Sequence, residues 1–418
     1  MFGDGTGNQQ YLFIFSQVHL GFRLAEFESI CSLFNIAYDR SSLETKKHVL
    51  VVELASDHCV QQILSRSMLV HSALKLFSCA ANYDDLSSDL REKSTYLKKI
   101  VSVLPLEEAP VDLKNPCNVF TIVEELTGEV SKQKFQAVYF GKLIGYGQSK
   151  LKSRYNLTDR CYIGNTTMDP ELSFIQANLV KANRGAFTLD PFCGTGGLLL
   201  AAAHFGAYVF GTEINYQIAR ACGKSSRVGA KYLGPHESVA GNFSQYNLDE
   251  HFVSLLIADA SRHELWHLPK SGLFDSIVAD PPYGIREKGS KVGNKERKAH
   301  WTLPGATHAT HFPEKARYKI SSVFLDLVNL AANVLVVNGR LSFWFPVFDE
   351  EYSEKVLPKH EALKLVADCK QPLAGRYSRH LLVYEKTRIP VEAEKAYFEA
   401  DCYRETTFRE RVFSKNTY

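Results

Sequence analysis

Short apolar runs alternating with charged, helix-prone stretches organise this chain from one end to the other. Residues 11–15, Tyr-Leu-Phe-Ile-Phe, read as a strand, 23–34 as an amphipathic helix and 48–54 as a second strand. Residues 58–69 are then expected to be helical and 73–79 extended, so that strand, helix, strand, helix, strand make a small α/β module. Residues 82–103 are charged and helix-prone, with Asp84, Asp85, Asp89 and Glu92 early and Lys98 and Lys99 late, which suits the helix dipole. Pro105, Pro110 and Pro116 mark a linker, and two short strands follow at 120–123 and 137–140.

From residue 171 the pattern becomes regular. A helix at 171–183 leads to strand 187–189, a glycine-rich turn and an apolar helix through His204. Strands at 208–211, 255–258 and 274–279 lead to Glu213, Asp259 and Asp280. A long basic loop, a helix at 323–335, a strand at 340–345 and a terminal pair near 363–367 and 381–384 complete the series. Such alternation predicts a doubly wound, mostly parallel sheet. The last 30 or so residues, rich in Glu, Arg and Phe, are expected to form a surface helix and tail. Four segments result: an α/β module at 1–81, a basic region and linker at 82–160, the main α/β domain at 161–390 and a tail at 391–418.

Composition narrows the class little. The 418 residues, 45% hydrophobic and 23% charged, suit a soluble globular protein of two or three domains. A net charge of +3 permits a nucleic-acid partner through local patches without demanding one. Nine scattered cysteines without a Cys-x-x-Cys pair point to reduced thiols in a cytosolic or nuclear protein, with neither a disulfide framework nor a metal site. The first ten residues carry no secretory pattern, and the apolar run 198–210 is too short to span a bilayer.

The chemistry concentrates in Asp280-Pro281-Pro282-Tyr283-Gly284. An apolar β-branched run, Phe274 to Ala279, ends at the acid, which places it at a strand's carboxyl end, where open α/β sheets bind ligands. The prolines forbid a helix and stiffen the turn. A carboxylate, a carbonyl and an aromatic plane are thus offered to a planar group carrying an NH2, a nucleobase or an amide. Asp190-Pro191-Phe192-Cys193-Gly194-Thr195-Gly196-Gly197 forms a strand, glycine turn and helix start, and Glu213 stands 19 positions after Gly194 (213 − 194), where a carboxylate can accept both ribose hydroxyls. The third glycine of a dinucleotide pattern would fall at Leu199, which disfavours a pyrophosphate. Four acids on one rim, Asp190, Glu213, Asp259 and Asp280, suit a cation, and S-adenosylmethionine has a ribose, no phosphate and a sulfonium charge. Cys193 is expected to be a packing residue.

These residues resemble the class I methyltransferases that act on exocyclic amino nitrogens. With Ile163 to Asp169, Ala203 to Glu213 and Asp280 to Glu287, the chain is similar to the catalytic subunits of eukaryotic tRNA guanine-10-N2-methyltransferases. The resemblance implies a Rossmann-like, seven-stranded, mostly parallel methyltransferase domain, preceded by an α/β ferredoxin-like domain and a shortened THUMP-type RNA-binding region. It implies that Asp190, Gly194, Gly196, Glu213 and Asp259 hold S-adenosylmethionine, with Thr166 and Thr167 closing over it. Asp280, Pro281 and Pro282 would hold the target amine and Tyr283 would stack on the base. It further implies a cytoplasmic enzyme, a tRNA substrate and a small zinc-binding activator subunit. Lys142, Lys150, Lys152, Arg154, Arg286, Lys288 and Lys291 are the candidate phosphate contacts. An apolar edge strand at 254–258, with Leu255 on its exposed face, is the candidate partner surface. The pentapeptide alone leaves adenine in nucleic acid and protein glutamine open as substrates, and a non-catalytic RNA-binding subunit is the rival from another class.

Overall fold

A computed structural model of the chain describes residues 9–43, 48–86, 88–89, 114–127, 134–221, 237–284, 287, 289–293, 315–373 and 375–403. It divides into two compact units, Met1–Ser149 and Lys150–Tyr418.

The first unit contains β1 (Gln9–Phe15), α1 (Arg23–Leu33), β2 (Val49–Leu54), α2 (Asp57–Leu64), β3 (Val70–Ala80), β4 (Phe120–Thr127) and β5 (Lys134–Tyr146). One antiparallel sheet in the order β2-β1-β3-β5-β4 joins all five strands. Phe13, Phe27, Ile30, Val52, Val60 and Ile63 form the core between this sheet and the two helices. The helix expected through residue 69 stops at Leu64. The cause is Glu26, buried on α1, whose carboxylate accepts from Ser67 Oγ and from the backbone N–H groups of Met68 and Leu69 at 2.8–3.0 Å, so that these residues turn into β3 instead. Most of the charged stretch at 82–103 and of the proline linker lies outside the described residues.

The second unit is built on a seven-stranded sheet. Its elements are α3 (Pro170–Leu179), β6 (Phe187–Asp190), α4 (Gly197–His204), β7 (Tyr208–Glu213), α5 (Val239–Gln245), β8 (Phe252–Ile257), β9 (Phe274–Ala279), β10 (Ser290–Val292), β11 (Lys315–Arg317), α6 (Ile320–Val334), β12 (Leu335–Phe348), β13 (Leu363–Pro372) and β14 (Tyr377–Lys386). The strand order is β13-β14-β12-β9-β6-β7-β8, and only β14 runs against the others, so the expected seven-stranded, mostly parallel sheet is present. The chain steps outward from β6 through β7 to β8, then returns to place β9 on the other side of β6. That reversal is the switch point at which α/β sheets open a crevice.

Helix α6 covers one face through Phe324, Leu327 and Ala331, packed on Ile277, Leu341 and Phe343. On α3, buried Gln176 donates its amide to the carbonyls of Ala279 (3.3 Å) and Ser342 (3.2 Å) and accepts from Trp344 Nε1 (3.0 Å). A buried amide with every bond made holds β9 and β12 in fixed register just before Asp280, since leaving any of those groups unpaired would cost about 1–3 kcal/mol. Of the stretch expected to form a surface helix and tail, residues 391–403 are irregular, because Tyr397 pairs in an isolated bridge with Lys359 and Tyr403 turns inward, its hydroxyl donating to the Pro346 carbonyl, while residues 404–418 lie outside the described residues. No helix among the described residues is long and apolar enough to cross a membrane.

Candidate active site

Parallel strands that end in register deliver their next residues to one rim. Asp190 closes β6, Glu213 closes β7, Asp259 lies two residues beyond β8 and Asp280 follows β9 directly. All four border one cavity of about 770 Å³, a volume suited to a cofactor together with part of a substrate.

The glycine turn shapes its floor. Gly194 and Gly196 adopt φ of 53° and 80°, a left-handed conformation that side chains disfavour. Gly194 borders the cavity, with open space where a Cβ would stand, and its N–H donates to Glu213 Oε2 at 3.0 Å. Gly196 does not border the cavity. It caps α4, and a Cβ there would press on Val239 at 3.1 Å, so it serves the approach of α5. Cys193 is buried, its Sγ filling the space beside Gly211, and burial pushes its thiol well above the usual range. This is packing, as its neighbours suggested.

Burial dominates the electrostatics. It pushes the Asp190 carboxyl well above the usual carboxylate range against one bond from the Phe192 N–H, and the nearby Asp280 and Glu213 raise it further. Burial raises Glu213 too, opposed by the N–H groups of Asn215 (2.6 Å) and Gly194. Crowded acids held away from water are costly when ionised, so a cation entering the cavity relieves that cost. Asp259 is more fully engaged: Oδ1 accepts from the N–H and hydroxyl of Ser261, and Oδ2 from the Val292 N–H at 2.6 Å, which ties the β10–β11 hairpin to the rim.

The Asp280-Pro281-Pro282-Tyr283 turn borders the cavity with all four residues, and Gly284 beyond it takes φ 86° and donates its N–H to the Glu287 carbonyl. Opposite, the loop before α3 brings Thr166 and Thr167 to the same cavity. Thr166 Oγ1 donates to Glu287 Oε1 at 3.0 Å, and Thr167 Oγ1 accepts from the Gly164 N–H at 2.7 Å and lies 3.0 Å from Thr195 Oγ1. The expected residues thus meet, apart from Gly196. Sequence reasoning missed Lys315, Tyr318, Tyr377 and Arg379, which also border the cavity. They come from β11, the residue after it and β14, and nothing in these short segments shows that β14 also pairs with β12, some thirty residues earlier, and so reaches the rim.

The basic candidates separate. Lys142 lies on β5 of the first unit, in register with Lys75 and Phe120. In the second unit, Lys150 precedes a single helical turn carrying Lys152 and Arg154. Lys152 is spent on an ion pair with the buried Glu171 at 2.7 Å, and Arg154 lies over the Tyr155 ring. Lys291 on β10 lies over Tyr318, while Arg286 and Lys288 lie outside the described residues.

A switch-point cavity rimmed by strand-end acids, with a glycine turn before α4 and an Asp-Pro-Pro-Tyr turn after β9, defines a methyltransferase domain. Accordingly, residues 158–296 match the family model of the RMKL-like methyltransferase domain, and residues 9–101 match that of the Tmrp11 THUMP N-terminal domain. The chain belongs to the tRNA (guanine(10)-N2)-methyltransferase family: it is 36% identical to the Homo sapiens tRNA (guanine(10)-N(2))-methyltransferase TRMT11, over 91% of this chain and 88% of that one. It is 30% identical to the Saccharomyces cerevisiae tRNA (guanine(10)-N(2))-methyltransferase, over 90% of this chain and 93% of that one. Among solved structures, TrmN from Thermus thermophilus aligns with 90% of this chain and 99% of its own at a TM-score of 0.43 and 16% identity.

Proposed function

We propose that this chain transfers a methyl group from S-adenosylmethionine to the exocyclic N2 of guanosine 10 in tRNA. The observation that carries this reading is the convergence of the Asp280 turn with Asp190, Glu213 and Asp259 on one cavity. Family membership supports the choice of guanine over adenine or a protein glutamine.

The residues present fit the cofactor. Glu213 would accept the ribose hydroxyls, Asp190 and Gly194 would lie along the ligand, Asp259 would present its carboxylate to the ligand's polar edge, and Thr166 and Thr167 would close the loop over it. When bound, S-adenosylmethionine supplies an electrophilic methyl group on a positively charged sulfur. Guanine N2 is a weak nucleophile, because its lone pair is delocalised into the ring. Asp280 and a carbonyl of Pro281 or Pro282 accept its two N–H bonds, which frees the lone pair and aims it. Orientation and preorganised charge then supply much of the rate, and no covalent enzyme intermediate is required. The base must leave its stack to reach the turn, and the Tyr283 ring compensates by stacking on it. Lys142, Lys150, Arg154, Arg286, Lys288 and Lys291 would meet tRNA phosphates. A cytoplasmic location fits such a substrate.

A small zinc-binding activator subunit belongs to the same reading, and β8 is where it would dock. Among the described residues this strand forms one edge of the sheet, with Val253, Leu256 and Ile257 exposed by 49, 51 and 42%. An open apolar edge invites strand addition. Leu255, expected on the exposed face, instead packs toward Gly211 and Cys193. Leu256→Lys is therefore the informative variant. On co-expression it should lose the one-to-one complex that the parent forms, with cofactor affinity unchanged. A Leu256→Lys chain that still co-purifies with its partner in full would move the partner elsewhere.

The reaction itself is tested by incubating the co-expressed complex with labelled cofactor and unmodified tRNA, then digesting the product to nucleosides. Label in N2-methylguanosine supports the proposal. Label in a methylated adenosine, or in protein, overturns it.

A further inference from the structure

We propose that Arg379 reads the edge of the target base opposite its amine, donating to the O6 and N7 acceptors of guanine, and so makes the site selective for that base. This rests on the reaction proposed above, because it assigns the far end of the same cavity.

The placement follows from the strand order. Asp259, Glu213 and Asp190 belong to β8, β7 and β6, Asp280 follows β9, and Arg379 stands on β14, on the far side of Asp280 from the other three acids. Ala279 lies in register with Phe343 on β12, and Arg379 with Pro346. Arg379 is thus two strands across from Asp280 and about two residues further toward the rim, a Cα separation of about 12 Å at ordinary strand spacing. A purine with its amine at Asp280 would lie over β12 with its opposite edge toward β14. Both residues border the cavity.

The side chain is held for such a task. Its guanidinium lies over the ring of the fully buried Trp344 at 4.1 Å, Nε donates to Gln371 Oε1 at 2.6 Å and Nη2 approaches Met168 Sδ at 3.7 Å. Nη1 has no hydrogen-bond partner among the described residues. Trp344 is fixed by Gln176, the residue that also bonds the Ala279 carbonyl beside Asp280, so one buried amide sets both ends of the proposed base site. A flat, stacked guanidinium with donors to spare matches the paired acceptors of guanine, the commonest partner of arginine among base edges. Among the described residues, the other cation bordering the cavity is Lys315, near Glu213 at the opposite end.

The test uses the complex and two tRNAs, one with guanosine and one with 2-aminopurine at the target position. The analogue keeps the amine and lacks O6. The parent enzyme should prefer guanosine, and, because the analogue retains N7, Arg379→Ala should lower kcat/KM on guanosine by about ten- to a hundredfold and on 2-aminopurine by clearly less, so that the preference shrinks. Cofactor affinity in calorimetry should not move. An equal loss on both tRNAs would identify a phosphate contact, and weaker cofactor binding a structural role; either overturns the proposal, as does no loss at all. If Arg379→Ala does not fold, Arg379→Lys keeps a cation over Trp344 without the planar fork, and should also lose selectivity. Full selectivity in that variant contradicts the assignment. If the parent labels no guanine, the reaction has failed instead, whatever Arg379 does.

Discussion

Asp280→Ala is expected to lower single-turnover methyl transfer by on the order of 100-fold or more while leaving S-adenosylmethionine affinity within a few-fold. The carboxylate stands directly after β9, beyond Asp190 on the side away from Glu213 and Asp259, so its removal empties the amine site and leaves the cofactor end whole. Its effect on folding should be slight, because β9 is held by its pairing with β6 and β12 and by Gln176. Asp280→Asn keeps an acceptor without the charge and should fall between. Single-turnover rates with saturating cofactor check both. A rate within a few-fold of the parent for Asp280→Ala would remove this residue from the chemistry.

The second large effect is expected on binding. Glu213→Ala should weaken S-adenosylmethionine by roughly 2–4 kcal/mol through the loss of charge-assisted bonds to the ribose. Because Glu213 also holds the N–H groups of Gly194 and Asn215, the variant must be matched by a thermal melt, with Glu213→Gln as the milder comparison. The raised carboxyls fix the sign of the pH effect. Asp190 and Glu213 take up protons at a higher pH than ordinary carboxyls, whose range centres near about 4, and the protonated forms offer a cation nothing. Affinity should therefore fall as pH is lowered through their raised range, and binding should release protons. S-adenosylhomocysteine, which lacks the sulfonium charge, should release fewer. Calorimetry in buffers of different ionisation enthalpy measures this; unchanged affinity in Glu213→Ala with an intact fold would place the ribose elsewhere.

Much of the site was legible because its signals are local. A β-branched run ending in Asp280 needs no partner to be read as a strand end, and two glycines before an apolar run announce the turn before α4. What local pattern conceals is parity and pairing. Leu255 and Leu256 are equally apolar neighbours on β8, yet Leu255 packs over Gly211 of β7 while Leu256 is exposed, a difference set by what lies across from each rather than by the run itself. Gly196 looks like Gly194 in sequence, yet it serves helix packing because α5, more than forty residues on, comes against it. The helix expected over 58–69 ended early because a glutamate on another helix captured its backbone. Arg379 was invisible for a similar reason: Tyr-Ser-Arg-His is an ordinary strand segment until β14 inserts between β12 and β13 and carries it to the rim.

The central claim is that one exocyclic amine, that of guanosine 10, receives the methyl group. The most direct measurement compares two tRNAs identical except at position 10, one with guanosine and one with inosine, which lacks only that amine. The complex should transfer close to one methyl group per molecule to the first and none to the second. Equal labelling of both would show that the acceptor lies elsewhere and would contradict the assignment of the Asp280 turn to this base.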